Sequence, residues 1–161
     1  TTRLVISNDG WELTKTDICA IHNYNHGQKD EVEKYNEFRK SVLNKENLLN
    51  SKPAGRRIYT KGFDYCGEPI LLTEFGGIGY KVGNESGWGY TSVTNEEDYI
   101  ADFERIIKAI YESNTLHGFC YTQLTDVEQE INGILTYDRT PKCNLKRIRE
   151  INDMWHANVV N

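Results

Sequence analysis

The order of its apolar segments constrains the fold of this chain most strongly. Four short apolar runs are typical of β-strands, and three longer segments carry apolar residues at helical spacing. Their order is strand, strand, helix, strand, helix, strand, helix, which predicts an α/β fold with parallel strands joined by helical crossovers. An open doubly wound sheet and a consecutive part of a (β/α)8 barrel both fit this order. The predicted strands are 3–7, 18–22, 70–73 and 117–123, and the helices lie near 30–50, after 94 and after 140.

Two of these elements carry more specific expectations. Thr94 with Glu97 three residues later matches a capping box, and the apolar spacing from Tyr99 to Tyr111 predicts a helix behind it. The run HGFCYTQ, residues 117–123, predicts a strand buried inside the sheet.

Length and composition exclude several classes of protein. The 161 residues predict one domain over 1–161, and they are too few for a complete eight-stranded barrel, which needs about 250 residues. A net charge of −5 disfavours nucleic acid as a partner, and no apolar run approaches the roughly 18 residues of a membrane span. The four cysteines form no C-x-x-C pair, so we expect reduced thiols, no structural zinc and a cytoplasmic location.

Reactive groups of parallel α/β folds gather at the carboxyl ends of the strands. Glu74 stands out there because it ends a fully apolar run and precedes two glycines, Gly76 and Gly77. A carboxylate in that position could attack an anomeric carbon or transfer a proton, or it could be a structural acid paired with an arginine or with backbone amides. Other polar residues near predicted strand ends are Asn8, Asp9, Glu12, His22, Asn23, Tyr24, Thr73, Gln123 and Asp126.

An aromatic pair and a histidine pair are weaker candidates for functional residues. Trp88 and Tyr90 could pack a glycine-rich loop, or they could form an aromatic wall for a sugar ring. His22 and His26 are four residues apart, but His22 ends a predicted strand and His26 lies in the loop after it. They do not share a helix face, so metal ligation is not expected; we predict no metal and no cofactor.

Four ordered segments of the chain resemble glycoside hydrolase family 2, the family of β-galactosidases and β-glucuronidases. The resemblance covers nearly the whole chain and places it in the carboxyl-terminal half of the catalytic TIM barrel, as consecutive βα units with outer helices. The matching segments are VISNDGWE with DICAIHNY (5–12 and 17–24), PILLTEFGG (69–77), HGFCYTQLTDVEQE (117–130) and NGILTYDR (132–139).

The resemblance implies roles for individual residues. Glu74 is expected to be the nucleophile of a retaining glycosidase, and Tyr24 the tyrosine that orients it. The family's acid/base follows an asparagine at the end of an earlier strand, and no Asn-Glu pair at a suitable strand end occurs here. We therefore expect the chain to be inactive alone. Residues expected to bind the substrate are Trp11, His22, Asn23, Trp88, Gln123 and Asp126.

Two departures from the family pattern bear on the sugar. Thr122 stands where the family often has a tryptophan beneath the sugar ring. β-Glucuronidases have an Asn-x-Lys element that holds the uronate carboxylate, whereas Glu130-Ile131-Asn132 occupies that place here. An acidic residue would repel a uronate, so the resemblance favours a neutral sugar, with galactose as the first expectation.

The partners follow from the same interpretation. A half barrel exposes two sheet edges, so we expect pairing with the missing half of the barrel or self-association. The competing class of function is a non-catalytic carbohydrate-binding or scaffold half-barrel domain.

Overall fold

The computed structural model describes residues 2–84 and 86–158, with side chains as far as residue 154. It confirms a mixed α/β protein with parallel strands. The elements are β1 (Cys19–Asn23), α1 (Val32–Leu43), α2 (Lys45–Asn50), a 3-10 turn (Pro53–Gly55), β2 (Ile70–Gly76), β3 (Ile78–Tyr80), β4 (Thr91–Val93), α3 (Glu96–Tyr111), β5 (Leu116–Thr122) and α4 (Leu145–Asn158). None of the described helices is both long enough and apolar enough to span a membrane.

The chain divides into two compact units. The first contains the residues up to Phe75 together with Glu112–Tyr121, and the second contains Gly76–Tyr111 and the residues from Thr122 onward.

The first unit is organised around a sheet with the order β1-β2-β5, in which β1 and β2 run parallel. The apolar side chains of β1 and β2 form its core, and Cys19, Ile70 and Leu72 have no exposed surface. Helix α1 is amphipathic because Phe38 and Val42, four residues apart, are both buried while most of its charged residues are exposed.

The second unit pairs the short parallel strands β3 and β4 with helices α3 and α4. Helix α3 has the strongest apolar face in the chain, as its sequence spacing predicts. The buried residues of that face include Tyr99, Phe103, Ile106, Ile107 and Ile110.

The prediction of a strand over residues 3–7 was wrong. In this segment Leu4 is 72% exposed, and Val5 and Ile6 are exposed as well. The backbone of Val5 bonds to Asp17 instead of to a strand: its N–H donates to the Asp17 carboxylate at 2.8 Å, and its carbonyl accepts the Asp17 N–H at 2.8 Å. β-Branched residues favour a strand only where neighbours cover them, and no described strand pairs with this segment.

The prediction that 117–123 forms a buried strand was right about the strand and wrong about burial. β5 covers most of this segment, but His117, Phe119 and Cys120 are exposed. The reason is its place at the edge of the described sheet, where β2 is its one neighbour. All four cysteines are free, with Cys19 and Cys143 buried and Cys66 and Cys120 exposed.

The cap of α3 is one residue later than the sequence predicts. The helix begins at Glu96, and the Asn95 side chain accepts the Asp98 N–H at 2.8 Å. Asn95 is therefore the capping residue, and Thr94 precedes it.

Substituting the cap tests this assignment. We expect Asn95→Ala to lower the free energy of unfolding by about 1 kcal/mol, because the Asp98 N–H loses its acceptor. Thr94→Ala should change it by less than about 0.5 kcal/mol. Urea unfolding of both variants gives the comparison, and a larger loss from Thr94→Ala would restore the original capping-box assignment.

Candidate active site

A β-bulge at the carboxyl ends of β1 and β2 brings Glu74 beside His22. The register pairs Ile21 with Leu72 but His22 with Glu74, so Thr73 is the extra residue. Bulges of this kind often redirect side chains near active sites. Because side chains alternate along a strand, His22 points to one side of β1 and Asn23 points to the other. Tyr24, the first residue after β1, meets Glu74 as His22 does.

The hydrogen bond expected between Tyr24 and Glu74 is present. The Tyr24 hydroxyl donates to Glu74 Oε2 at 2.7 Å, although 50 residues separate the two in sequence. His22 Nδ1 lies 3.1 Å from the same oxygen. The Glu74 side chain keeps 41% of its surface exposed, so a ligand can reach it. Both of these contacts fall on Oε2.

The other ring nitrogen of His22 faces a second carboxylate. Its Nε2 lies 3.2 Å from Asp9 Oδ1, and the ring is 12% exposed. The same Asp9 oxygen accepts the Thr73 hydroxyl at 2.6 Å. The bulged residue of β2 therefore holds the Asp9 carboxylate next to the histidine.

The turn before β1 encloses the histidine ring. Gly10 has a φ of +105°, and a Cβ at that position would lie 2.7 Å from His22 Cγ, so a side chain there would collide with the ring. The Trp11 ring meets the His22 ring edge-on, with centroids 5.4 Å apart. The Arg56 guanidinium lies 5.7 Å from the centre of the Trp11 ring. Trp11 therefore contacts His22, which in turn contacts Glu74, and its role as a substrate-binding residue stays a prediction.

Asn23 lies on the far side of β1 and is 4% exposed. Its amide nitrogen donates to the Ser41 hydroxyl on α1 at 3.3 Å, and its amide oxygen accepts the Asn25 N–H at 3.0 Å. Its side chain holds the loop after β1 against the helix, and its role as a substrate-binding residue stays a prediction.

The remaining predicted site residues belong to the second unit. Trp88 is 47% exposed and meets Tyr90, 49% exposed, in an edge-to-face pair with centroids 5.5 Å apart. The Gln123 amide donates to Asn132 Oδ1 at 2.7 Å and lies 3.4 Å from Glu130 Oε2. Two interpretations were open for the aromatic pair, packing of a glycine-rich loop and an aromatic wall for a sugar ring, and both stay predictions.

Asp126 is engaged in a buried ion pair. Its carboxylate oxygens lie 2.9 and 3.1 Å from Lys142 Nζ, and it also accepts the Gly133 N–H at 2.8 Å. The Lys142 side chain has no exposed surface, and the Asp126 side chain is 12% exposed. These contacts fix the loop that begins at Gln123 and give Asp126 a structural role.

The buried cysteines and the possible metal ligands give weaker evidence of a functional site than Glu74 does. Burial raises the pKa of the Cys19 thiol to about 11 and that of Cys143 to about 11, so both are almost fully protonated near neutral pH. Among the described residues, no group of three or more His, Cys, Asp or Glu side chains has an arrangement that could hold a metal ion.

Sequence reasoning did not predict that Asp9 and Thr73 contact each other, or that Asp9 faces His22. Both were identified as polar residues at strand ends, but nothing in the sequence paired them with each other or with His22. The Asn8-Asp9-Gly10 turn signal was the available clue, because a turn at a strand end carries its side chains towards the site.

Three solved structures of bacterial enzymes resemble this chain. The β-glucuronidase of Bifidobacterium dentium, complexed with coumarin-3-O-glucuronide, is 18% identical with a TM-score of 0.54, over 88% of this chain and 21% of that one. The Lactobacillus rhamnosus β-glucuronidase is 18% identical with a TM-score of 0.52, over 93% of this chain and 25% of that one. The Ruminococcus gnavus β-glucuronidase is 18% identical with a TM-score of 0.50, over 88% and 22%.

This chain has the fold of a segment of these enzymes. The expected likeness to glycoside hydrolases is confirmed at the level of the fold, and the chain spans about a fifth to a quarter of the length of each enzyme. No protein-family model and no curated protein sequence matches the chain.

Proposed function

We propose that this chain is the nucleophile-bearing part of a retaining β-glycosidase of glycoside hydrolase family 2. The observation that carries the proposal is the 2.7 Å hydrogen bond from Tyr24 to Glu74 at the carboxyl ends of two parallel strands. The fold shared with a segment of β-glucuronidases supports it, since that fold belongs to glycoside hydrolases.

Glu74 Oε1 is the oxygen that attacks in this proposal. It forms an ester bond to the anomeric carbon of a β-linked sugar while the bond from that carbon to the leaving oxygen breaks, and the electron pair leaves with that oxygen. Tyr24 and His22 hold Oε2, which keeps the other oxygen turned outward. Water then cleaves the ester, the anomeric configuration is retained, and Glu74 is regenerated.

The leaving oxygen of an ordinary sugar must be protonated, and we assign the acid that does this to another segment of a longer polypeptide. In a retaining enzyme that carboxyl group lies about 5–5.5 Å from the nucleophile. β1 and β5 end the described sheet on its two sides. In the proposed TIM barrel these edges continue into the rest of the catalytic domain or pair with a second copy.

The substrate class in this proposal is a neutral, terminal β-linked sugar, with galactose first. The Glu130 carboxylate lies 3.4 Å from the amide nitrogens of Gln123 and Asn132, and these contacts hold it in place. By the family resemblance, this segment corresponds to the one that binds the uronate in β-glucuronidases. A negative charge there disfavours a uronate. The cytoplasm is the proposed location, because four free cysteines suit a reducing compartment.

Galactosides with different leaving groups test the proposal. The chain alone is expected to be inactive on ordinary glycosides because it lacks the acid. A dinitrophenolate leaves without protonation, so dinitrophenyl β-galactoside should still transfer its sugar to Glu74 and release dinitrophenolate. Methyl β-galactoside should not, because loss of acid catalysis gives up roughly 10²–10⁴-fold in rate. A faster reaction with the matching glucuronide would contradict the neutral-sugar assignment. Equal reactivity of the two galactosides would contradict the missing acid.

A non-catalytic carbohydrate-binding domain is the second candidate, and the exposed edge-to-face pair of Trp88 and Tyr90 favours it. Aromatic faces of this kind stack on sugar rings. Galactose binding that quenches tryptophan fluorescence and disappears in Trp88→Ala, with no reaction of the activated galactoside, would support this alternative over the glycosidase.

A further inference from the structure

The His22 ring lies between two carboxylates that reach it from different parts of the chain. Nδ1 is 3.1 Å from Glu74 Oε2, and Nε2 is 3.2 Å from Asp9 Oδ1. Nε2 is buried and has no well-aligned hydrogen bond within the described residues, so Asp9 Oδ1 is the charged oxygen that faces it.

Each of the two carboxylate oxygens is also fixed by a hydroxyl group. Tyr24 donates to the Glu74 oxygen at 2.7 Å, and Thr73 donates to the Asp9 oxygen at 2.6 Å. A neutral imidazole carries hydrogen on one nitrogen only and would turn the other lone pair towards a carboxylate. A carboxylate oxygen facing each nitrogen suits a ring that presents an N–H on both sides.

The backbone around the ring leaves it little freedom to turn. Gly10 lies against the ring atoms, and its carbonyl accepts the backbone N–H of His22 at 3.2 Å. The Trp11 ring packs edge-on against the His22 ring. Asp9 immediately precedes this pair in the same turn. The segment that encloses the ring therefore also supplies the carboxylate that faces Nε2.

We propose that Asp9 is a positioning residue that fixes the Glu74 carboxylate through the His22 ring. Asp9 itself does not touch the sugar. Its charge holds the ring so that Nδ1 stays on Glu74 Oε2, which leaves Oε1 directed outward. The effect of Asp9 on the reaction rests on the proposed glycosidase function. The effect of Asp9 on the placement of the His22 ring does not depend on that function.

Nuclear magnetic resonance of the histidine ring nitrogens tests the placement directly. In Asp9→Asn the Nε2 resonance of His22 should move, because the charge facing it is gone while the shape is kept. In Glu74→Gln the Nδ1 resonance should move instead. Asp17→Asn is the matched control: Asp17 bonds to the backbone of Val5, and neither His22 resonance should change. An Nε2 resonance that is the same in Asp9→Asn and in the original chain would overturn the proposal.

Kinetics with dinitrophenyl β-galactoside test the positioning. We expect Asp9→Asn to lower the rate constant of the first release of dinitrophenolate by about 10–100-fold, as a small displacement of a reacting group does, with the half-saturating substrate concentration within about twofold. A weaker affinity with an unchanged rate constant would overturn the proposal, because it would make Asp9 a binding residue. If no Glu74-dependent reaction occurs in the original chain, the proposed function fails, while the ring resonances still decide whether Asp9 holds His22.

Discussion

Replacing Glu74 with glutamine will abolish the release of dinitrophenolate from dinitrophenyl β-galactoside. The amide has nearly the shape of the carboxylate but cannot form the glycosyl ester, so the initial rate should fall by roughly 10³-fold or more. The Tyr24 hydroxyl can still donate to the amide oxygen of the variant, so the loop after β1 should stay in place. The change therefore removes the reacting atom while it leaves the local fold intact.

Glu112→Gln is the control for this variant. Glu112 belongs to the same unit, its side chain is 44% exposed against 41% for Glu74, and it pairs with Arg39 at the surface. Its replacement should leave the rate within twofold. Stopped-flow absorbance of the released phenolate measures both variants, and equal rates in Glu74→Gln and the original chain would show that Glu74 is a structural acid.

Replacing Lys142 with methionine will destabilise the second unit strongly. Lys142 is fully buried and donates to both oxygens of Asp126 and to the Ile131 carbonyl. Methionine fills a similar volume, but the Asp126 carboxylate then remains buried without its cation. Loss of one partner of a buried ion pair costs about 3–5 kcal/mol, which is a large part of the stability of a small domain.

Lys146→Met provides the matched control. The Lys146 side chain is 84% exposed, and its Nζ lies 4.0 Å from Glu150, so the pair contributes at most about 1 kcal/mol. Hydrogen exchange of the α3 amides reports on the second unit alone in both variants. If the α3 amides exchanged no faster in Lys142→Met than in Lys146→Met, the ion pair would not stabilise the second unit. The structural role of Asp126 would then be contradicted.

Local sequence pattern predicted the elements that bury their own apolar face. The spacing from Tyr99 to Tyr111 predicted α3, and the continuous apolar run before Glu74 predicted β2. The same reasoning failed for residues 3–7 and misjudged the burial of β5, because a strand's stability and burial depend on neighbours that its own sequence does not specify. Residue types alone could not predict which strands lie beside one another.

The candidate site shows the same division between local and long-range information. Glu74 was predicted from its place at the end of an apolar strand, and Tyr24 from the family resemblance. The contacts of Asp9 depend on the bulge at Thr73, which shifts the register by one residue. No local pattern encodes that shift, because it is set by how β1 and β2 pair across about 50 residues of chain.

The residue that carries the sugar is the most direct test of the account. A dinitrophenyl galactoside fluorinated at the carbon next to the anomeric centre forms the ester but hydrolyses it slowly, so the adduct accumulates and intact-protein mass spectrometry detects it. Digestion and peptide sequencing then locate the sugar. The account predicts one adduct, on Glu74, within the peptide that contains Leu72 and Phe75. An adduct on another carboxylate, or one that still forms in Glu74→Gln, would contradict it.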